Sequence, residues 1–233
     1  MTRPKLLDLF CSEGGASMGY HMAGFDVTGV DIEPKERYPF EMAVANALQV
    51  DLDGYDAYAA SPPCQGYSRL KSRYDASKWP LLIAPIRERL EATGKPYVIE
   101  NVVGAESEMK SPICLCGSSF GLRVRRHRLF EANFGVPELP CEHAWQDGHK
   151  PYSIYEGKSR GAGLGRRASG VQPVHGGNHN VGGNSYFYKS VAMGIDWMTE
   201  HGLNESIPPA YTRYVGKWML EVTGQYGKNL ETE

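Results

Sequence analysis

A cysteine follows two consecutive prolines, Pro62 and Pro63, within the first third of the chain. The prolines fix φ at successive positions and restrict the residue before them, so the sequence predicts that Cys64 lies at the tip of a stiff, extended turn. Residues 56–60 have the apolar character of a strand, and the carboxyl edge of an open α/β sheet is where such folds expose reactive groups. A free cysteine is most often a small buried hydrophobic residue. Its position at this edge makes Cys64 the candidate nucleophile.

An acid and two arginines follow at the ends of later predicted strands. Glu100 ends the strand predicted at 97–99 and shares a sheet edge with Cys64 if both strands are parallel. A partly buried carboxyl group has a raised pKa, so Glu100 could remain protonated and donate to a ring nitrogen. Arg126 and Arg128 alternate along a short strand and so point to one side, where guanidinium groups stabilise a thiolate, a phosphate or a carbonyl oxygen. Solvated strand ends are the alternative for all three residues.

A glycine turn and a later aspartate indicate a second, nucleotide-like ligand. Gly14 and Gly15 lie between a predicted strand and a predicted helix, where backbone amides can approach a ligand closely. Asp31 ends the next strand, where its carboxylate can accept hydrogen bonds from a ribose. The sequence lacks both the full dinucleotide motif and the phosphate-binding loop of nucleoside triphosphatases. The pattern therefore favours an adenosine-binding half-site.

The elements that must position these groups alternate in type along the chain. Strands are predicted at 6–10, 25–31, 55–60, 97–99 and 129–131. Helices are predicted at 16–24, 34–47, 79–93, 190–202 and 210–222, the last one after a proline pair. Because strands alternate with helices at these intervals, the sequence predicts an α/β fold with a doubly wound, mostly parallel sheet. The last helix is expected to pack back on this sheet.

Length and composition limit the class of protein. The 233 residues allow one sizeable domain with a small appendage, and the formal net charge of −2 means that a nucleic acid would need a local basic face. The chain has no apolar run of about 20 residues and no secretory leader pattern, so no membrane contact is expected. Five cysteines without framework spacing argue against a disulfide scaffold. A cytoplasmic location is predicted.

Five motifs, taken in order, resemble those of the DNA cytosine-5 methyltransferases, and the match spans nearly the whole chain. They are Asp8-Leu9-Phe10 with Gly14-Gly15, Pro63-Cys64-Gln65, Glu100-Asn101-Val102, Arg126-x-Arg128 and Ile207-Pro208-Pro209. The resemblance implies the class I S-adenosylmethionine-dependent methyltransferase fold. It implies S-adenosylmethionine as methyl donor and a cytosine flipped out of double-stranded DNA as acceptor. It further implies a monomeric bacterial or phage enzyme that works alone or with a cognate restriction endonuclease.

The resemblance also implies roles for individual residues. Cys64 would add to C6 of the cytosine, and Glu100 would hydrogen-bond to N3 or protonate it. Arg128 would hold O2, while Arg126 would support the thiolate. The donor-binding residues implied are Phe10, Ser12, Gly14, Gly15, Asp31, Ile32, Asn46, Ala47, Pro62, Glu205 and Ser206.

The resemblance divides the chain into three parts. Residues 1–134 would form the catalytic domain, 135–188 a small, loop-rich target-recognition region, and 189–233 a segment that returns to the catalytic domain. The loop at 65–77 is expected to close over the flipped base. The predicted nucleic-acid-binding residues are Gln65, Ser68, Arg69, Lys71, Arg73, Lys158, Arg160, Arg166 and Arg167. Ordinary solvated loops are the alternative for both basic segments.

Three residues depart from the family pattern. Ser12 stands where glycine is usual, Val124 where glutamine is usual, and Glu205 where asparagine is usual. Glu205 brings a negative charge toward the amino-acid end of the donor, so a modified donor is one alternative. Transfer to a cytosine of tRNA is another, and a DNA-binding protein without chemistry is a third. The last would have no need to retain Cys64, Glu100 and Arg128 together.

Cysteine spacing leaves a metal site as an alternative. Cys114-x-Cys116 and Cys141-x-His143 could supply four zinc ligands, although their one-residue spacers are tighter than those of most structural sites. Separate reduced thiols are the simpler interpretation. The sequence therefore predicts no metal.

Overall fold

The computed structural model describes residues 2–67, 79–147 and 185–230. Its strands are β1 (Lys5–Leu9), β2 (Asp26–Asp31), β3 (Glu41–Val44), β4 (Ala57–Ala60), β5 (Tyr97–Asn101), β6 (Ile113–Leu115) and β7 (Arg128–Ala132). Its helices are α1 (Gly15–Ala23), α2 (Ile83–Ala92), α3 (His143–Asp147), α4 (Ser185–Met193), α5 (Glu200–Glu205) and α6 (Pro209–Leu230). None of these described helices is long and apolar enough to cross a membrane.

The strands form one seven-stranded sheet in the order β3-β2-β1-β4-β5-β7-β6. Strands β3, β2, β1, β4 and β5 are mutually parallel, whereas β7 runs antiparallel to both of its neighbours. The carboxyl ends of the five parallel strands therefore meet at one edge. The predicted α/β class with a mostly parallel sheet is confirmed.

Apolar side chains cover both faces of the sheet, which explains the near-continuous apolar strands. On one face Leu7 and Leu9 pack with Ile86 of α2. On the other face Leu6 packs with α1 and with Tyr211 of α6. Helices on both faces make the sheet doubly wound, and α6 packs back on it as predicted.

Helices α1 and α6 approach closely because small residues lie between them. A Cβ atom on Gly19 would lie only 2.0 Å from Thr212 Oγ1, so glycine is required there. The Thr212 hydroxyl donates to the Ala16 carbonyl at 2.8 Å. This contact holds the start of α6 against the first turn of α1, which borders the site described below.

A buried ion pair joins α2 to β7. Arg87 donates through Nε to Glu131 Oε1 at 2.5 Å and through Nη2 to Glu131 Oε2 at 2.6 Å. Arg87 also reaches the Glu108 carbonyl at 2.6 Å. A two-pronged pair of this kind fixes orientation as well as distance. It therefore anchors the strand that begins with Arg128.

Three predicted helices differ from the structure. The helix predicted at 34–47 is wrong: its second half is the edge strand β3, which pairs with β2. Prolines interrupt this segment, and backbone pairing along an open sheet edge outweighs its weak helical spacing. Helix α2 begins at Ile83 instead of residue 79, after Pro80. The helix predicted at 190–202 is divided in two, because Gly194 adopts a left-handed φ of 70° after α4.

Asp8 lies near the carboxyl end of β1 and is fully buried. The Ser17 hydroxyl donates to Asp8 Oδ2 at 2.5 Å and in turn accepts from the Tyr38 hydroxyl at 3.0 Å. Burial raises the pKa of Asp8 to about 7, and the Ser17 hydrogen bond offsets this only in part. The carboxyl group is therefore protonated in the folded protein over a range where the unfolded chain has lost that proton.

The raised pKa predicts a specific pH dependence of stability. Between about pH 4 and pH 7 the folded state binds more protons at Asp8, so the free energy of unfolding should fall by a few kcal/mol as pH rises and then level off. Asp8→Asn cannot release a proton and should lack this decline. Urea denaturation at about pH 5 and about pH 8 measures the free energy of unfolding at each pH. Relative to wild type, the variant should be more stable at the higher pH than at the lower one. Parallel pH profiles for the two proteins would contradict the assignment.

Candidate active site

A cavity of about 1450 Å³ opens at the carboxyl edge of the parallel strands. The residues that follow β1, β2, β4 and β5 line it, together with those that precede β7 and those that join α5 to α6. Ligands of open α/β sheets bind outside this edge because the loops there diverge to opposite faces. Both predicted groups of site residues meet in this one cavity.

The four predicted catalytic residues, Cys64, Glu100, Arg126 and Arg128, all line the cavity. Arg128 Nε lies 3.1 Å from Glu100 Oε1, and both side chains are largely buried. Arg128 also donates to the His127 carbonyl at 2.9 Å. An acid, a thiol and two guanidinium groups therefore face one partly enclosed space.

Two hydrogen bonds hold the turn that carries Cys64. The Asn101 amide donates to the Pro62 carbonyl at 2.9 Å, which ties the turn to the end of β5. The Tyr67 amide donates to the Cys64 carbonyl at 3.1 Å and closes the next turn. Together with the fixed φ of the prolines, these bonds orient the half-buried thiol toward the cavity.

Burial and the nearby positive charges have opposite effects on the pKa values of the acidic groups in this pocket. Burial raises the pKa of Glu100, although Arg128 and Arg126 lower it in part. Burial likewise raises the pKa of the Cys64 thiol, and the same two arginines oppose that shift. Both groups are therefore biased toward their protonated forms, and the arginines supply the positive charge that a thiolate needs.

Arg126 is positioned by contacts with the end of the chain. Its Nη2 donates to the Asn204 carbonyl at 3.0 Å, and its own carbonyl accepts from the Tyr211 hydroxyl at 2.5 Å. Burial and the neighbouring Arg128 lower the pKa of Arg126 to about 9. This arginine therefore links the pocket around Cys64 and Glu100 to the segment between α5 and α6.

Asp31 organises the opposite part of the cavity. Its Oδ2 accepts from the Ser12 amide at 3.0 Å and its Oδ1 from the Glu33 amide at 3.2 Å, while Lys35 Nζ lies 3.6 Å from Oδ1. Ser12 has φ 48°. Glycine adopts this left-handed conformation without the steric cost that a side chain carries, which explains why glycine would be favoured at that position.

Gly15 permits a close approach between the first turn of α1 and the α5–α6 junction. A Cβ atom there would lie 1.8 Å from Ser206 Oγ and 2.7 Å from the Ile207 carbonyl oxygen. Any side chain would push these segments apart and change the wall of the cavity. Gly15 is therefore required by the shape of the site.

Most of the predicted donor-binding residues line the cavity. They are Phe10, Ser12, Gly15, Asp31, Ile32, Asn46, Ala47, Pro62, Glu205 and Ser206. Gly14 instead faces the ring of Tyr38 and Pro39 and adopts φ 85° at the start of α1. Asn46 is exposed and its Oδ1 accepts from the Leu48 amide at 2.9 Å.

Of the predicted nucleic-acid contacts, Gln65 lines the cavity. Its buried Oε1 has no hydrogen-bond partner among the described residues. The other predicted contacts lie outside the described residues: Ser68, Arg69, Lys71, Arg73, Lys158, Arg160, Arg166 and Arg167. The same holds for most of the loop at 65–77 and of the region at 135–188.

Sequence reasoning missed Glu13, which clamps two distant segments together. Its carboxylate accepts from the Thr199 amide and hydroxyl, both at 2.6 Å, and its carbonyl accepts from Trp197 Nε1 at 2.8 Å. No local pattern signals a contact across that sequence distance. Asn101 is part of the motif Glu100-Asn101-Val102, and its adjacency to Glu100 is the signal in the sequence for its structural role.

Comparison with known proteins gives relatives of two kinds. No protein-family profile matches the chain. The chain is 35% identical over 125 residues to the type II methyltransferase M.XorII of Xanthomonas oryzae, covering 45% of this chain and 29% of the relative. It is 28% identical over 173 residues to the type II methyltransferase M.AquIA of Picosynechococcus, covering 58% of this chain and 68% of that relative. The chain thus spans less than a third of the first relative.

Two solved structures share the fold over almost the whole chain. One is described as a DNA modification methyltransferase encoded within a prophage of E. coli, with TM-score 0.60 and 14% identity, covering 95% of this chain and 99% of that one. The other is the Dnmt2 methyltransferase of S. pombe, with TM-score 0.55 and 14% identity, covering 94% of this chain and 99% of that one. The sheet therefore has the class I S-adenosylmethionine-dependent methyltransferase fold. The chain therefore shares part of its sequence with these type II methyltransferases and its fold with these two solved structures.

Proposed function

We propose that this protein transfers a methyl group from S-adenosylmethionine to C5 of a flipped-out cytosine in DNA. The observation that carries the proposal is the meeting of Cys64, Glu100 and Arg128 in one cavity, with Glu100 and Arg128 paired at 3.1 Å. The relatives named as type II methyltransferases support DNA as the acceptor. The partnership with a restriction endonuclease and the monomeric state remain predictions.

The donor side of the cavity fits S-adenosylmethionine. Asp31 presents a carboxylate at the end of β2 for the ribose hydroxyls, and the neighbouring Ile32 is 72% exposed and can cover the adenine ring. The part of the cavity wall formed by Gly15 and Ser206 suits the methionine part. When bound, S-adenosylmethionine supplies an electrophilic methyl group. Glu205, half-exposed and 3.5 Å from His201 Nε2, is the residue that suits this donor least.

The pocket residues account for activation of the cytosine ring. C5 is a poor nucleophile until the ring loses its aromatic character. Cys64 first releases its thiol proton to solvent. Addition of the thiolate to C6 then forms a carbon–sulfur bond and pushes electrons toward N3, where Glu100 donates its proton, so that C5 becomes an enamine carbon. Arg128 stabilises the developing charge at O2. The raised pKa of Glu100 keeps its proton available for this step.

The same residues reverse these steps after methylation of C5. Removal of the C5 proton by a base, for which bound water is our candidate, reforms the C5–C6 double bond and expels the Cys64 thiolate. N3 returns its proton to Glu100. The Cys64 thiolate takes up a proton from solvent, so the enzyme regains its starting protonation state, and 5-methylcytosine is released. The target must leave the base stack for this chemistry, which costs a few kcal/mol.

Mass spectrometry of nucleosides tests the acceptor, product and donor together. Mixed-sequence duplex DNA and tRNA are each incubated with the protein and S-adenosylmethionine. We expect 5-methyldeoxycytidine from DNA alone. A methylated cytidine from tRNA alone would assign the protein to the RNA alternative. No product from either would overturn the proposal and direct attention to Glu205 and a different donor.

Substitution of Asp31 tests the donor site. Asp31→Asn keeps an acceptor for the Ser12 amide but removes the charge, and we expect donor affinity to fall about 10-fold to 100-fold because a charge-assisted hydrogen bond is lost. Isothermal titration with S-adenosylmethionine measures it. Asp26→Asn is the matched control, since Asp26 is exposed at the opposite end of β2 and should leave affinity unchanged. Equal losses in both variants would refute the assignment.

A further inference from the structure

Two cysteines and two histidines from three separate segments form a compact cluster beside β7. The Sγ atoms of Cys116 and Cys141 and the ring nitrogens of His127 and His143 all lie within 4.8 Å of one another. We propose that these four side chains bind a structural zinc ion. Cys114 faces the cavity, so the fourth ligand is His127 and not the cysteine that the spacing pattern had indicated.

The distances within the cluster match a tetrahedral site. Cys116 Sγ lies 3.4 Å from His143 Nε2, and Cys141 Sγ lies 3.4 Å from His127 Nε2. With zinc bonds of about 2.3 Å to sulfur and about 2.0–2.1 Å to nitrogen, the sulfur–nitrogen edge of a tetrahedron is about 3.5 Å. The two observed pairs already have that separation.

Simple hydrogen bonding does not explain how the Cys116–His143 and Cys141–His127 pairs are arranged relative to each other. A thiol–imidazole hydrogen bond would explain each 3.4 Å distance separately. It would not require the two pairs to share one centre. The rings of His127 and His143 lie 5.2 Å apart and nearly perpendicular, at 88°. This arrangement lets all four donor atoms converge on one point.

Hydrogen bonds around the cluster hold its segments in place. Ser118 hydrogen-bonds to the Cys116 sulfur through its backbone and its side chain. The Glu142 amide donates to Ser118 Oγ at 3.1 Å, and Trp145 Nε1 donates to the Ser118 carbonyl at 3.3 Å. These contacts fix the turn after Cys116 against the segment that carries Cys141 and His143. Support of this kind orients metal ligands before the ion binds.

The donor set selects the metal. Two thiolates and two imidazoles are soft to borderline ligands, which favour zinc and disfavour magnesium or calcium. The charges of the two thiolates balance those of the ion. Four protein ligands leave no open position, so the site is closed and structural and not a place for hydrolysis.

The site has a clear mechanical consequence. His127 lies between Arg126 and Arg128, while Cys141 and His143 lie at the beginning of the region predicted to recognise DNA. A zinc ion would therefore join the arginine-bearing segment to the start of that region. The metal assignment itself does not depend on the proposed reaction.

Elemental analysis of the full chain, purified without a histidine tag and dialysed, tests the site. We expect about one zinc ion per chain, because closed sites of this type hold zinc tightly. Cys141→Ser should reduce the zinc content at least about 10-fold, since it removes one of the four ligands from an exposed position. Cys114→Ser is the matched control and should retain the ion.

Cobalt substitution gives a result that does not depend on the folding of any variant. Wild-type protein loaded with Co²⁺ should show the intense visible bands of tetrahedral cobalt and the near-ultraviolet charge-transfer bands of cobalt–thiolate bonds. Folded wild-type protein without zinc and without these bands would overturn the proposal. Retention of the ion in Cys141→Ser with its loss in Cys114→Ser would also overturn it.

Discussion

Cys64→Ser is expected to lower methyl transfer to DNA by about three orders of magnitude or more, because a hydroxyl group replaces the soft sulfur nucleophile. The turn that carries the residue is held by Asn101 and by backbone contacts that do not involve the sulfur. The fold and the donor site should therefore be unchanged. Transfer of labelled methyl groups to duplex DNA measures the loss.

Two controls separate a lost nucleophile from a damaged protein. Affinity for S-adenosylmethionine should stay within about twofold of wild type, since Cys64 is not among the residues proposed for donor binding. DNA containing 5-fluorocytosine should form a denaturant-stable complex with wild type and none with the variant, because fluorine cannot leave and the carbon–sulfur bond persists. A Cys64→Ser protein with the wild-type rate would eliminate the covalent mechanism.

Glu100→Gln is expected to have the second largest effect, a loss of about 10²-fold to 10³-fold in turnover. The amide can still hydrogen-bond to N3 but has no proton to transfer. In wild type the rate should fall with rising pH as Glu100 loses its proton, at a pH above the usual range of a glutamate because burial raises its pKa. That decline should be absent in the variant. Steady-state rates across the pH range provide the measurement.

The loss of the Glu100–Arg128 pair requires its own control. Arg128 stays charged and largely buried in Glu100→Gln, so thermal unfolding is recorded alongside the kinetics. Glu88→Gln removes one negative charge from an exposed position on α2 and should leave turnover and its pH profile unchanged. Unchanged turnover in Glu100→Gln would dismiss the role at N3. A decline with rising pH that persists in the variant would assign it to another group.

Several parts of the fold follow from local sequence because their physical cause is local. Apolar runs identify the buried parallel strands, and the proline pair places Cys64 at a strand end. Proline at the start of α6 likewise marks its first turn. The helix predicted at 34–47 is wrong because its residues suit a helix only weakly, whereas the free edge of β2 offers backbone partners.

The sequence by itself determined the sheet edge at which the chemistry is gathered, since strand direction and turn residues follow from short patterns. Only the tertiary structure decided which distant side chains meet there. The Glu13–Thr199 contact, the Arg126–Asn204 contact and the choice of His127 over Cys114 all join segments far apart in the chain. Such contacts depend on how whole elements pack, and no window of neighbouring residues carries that information.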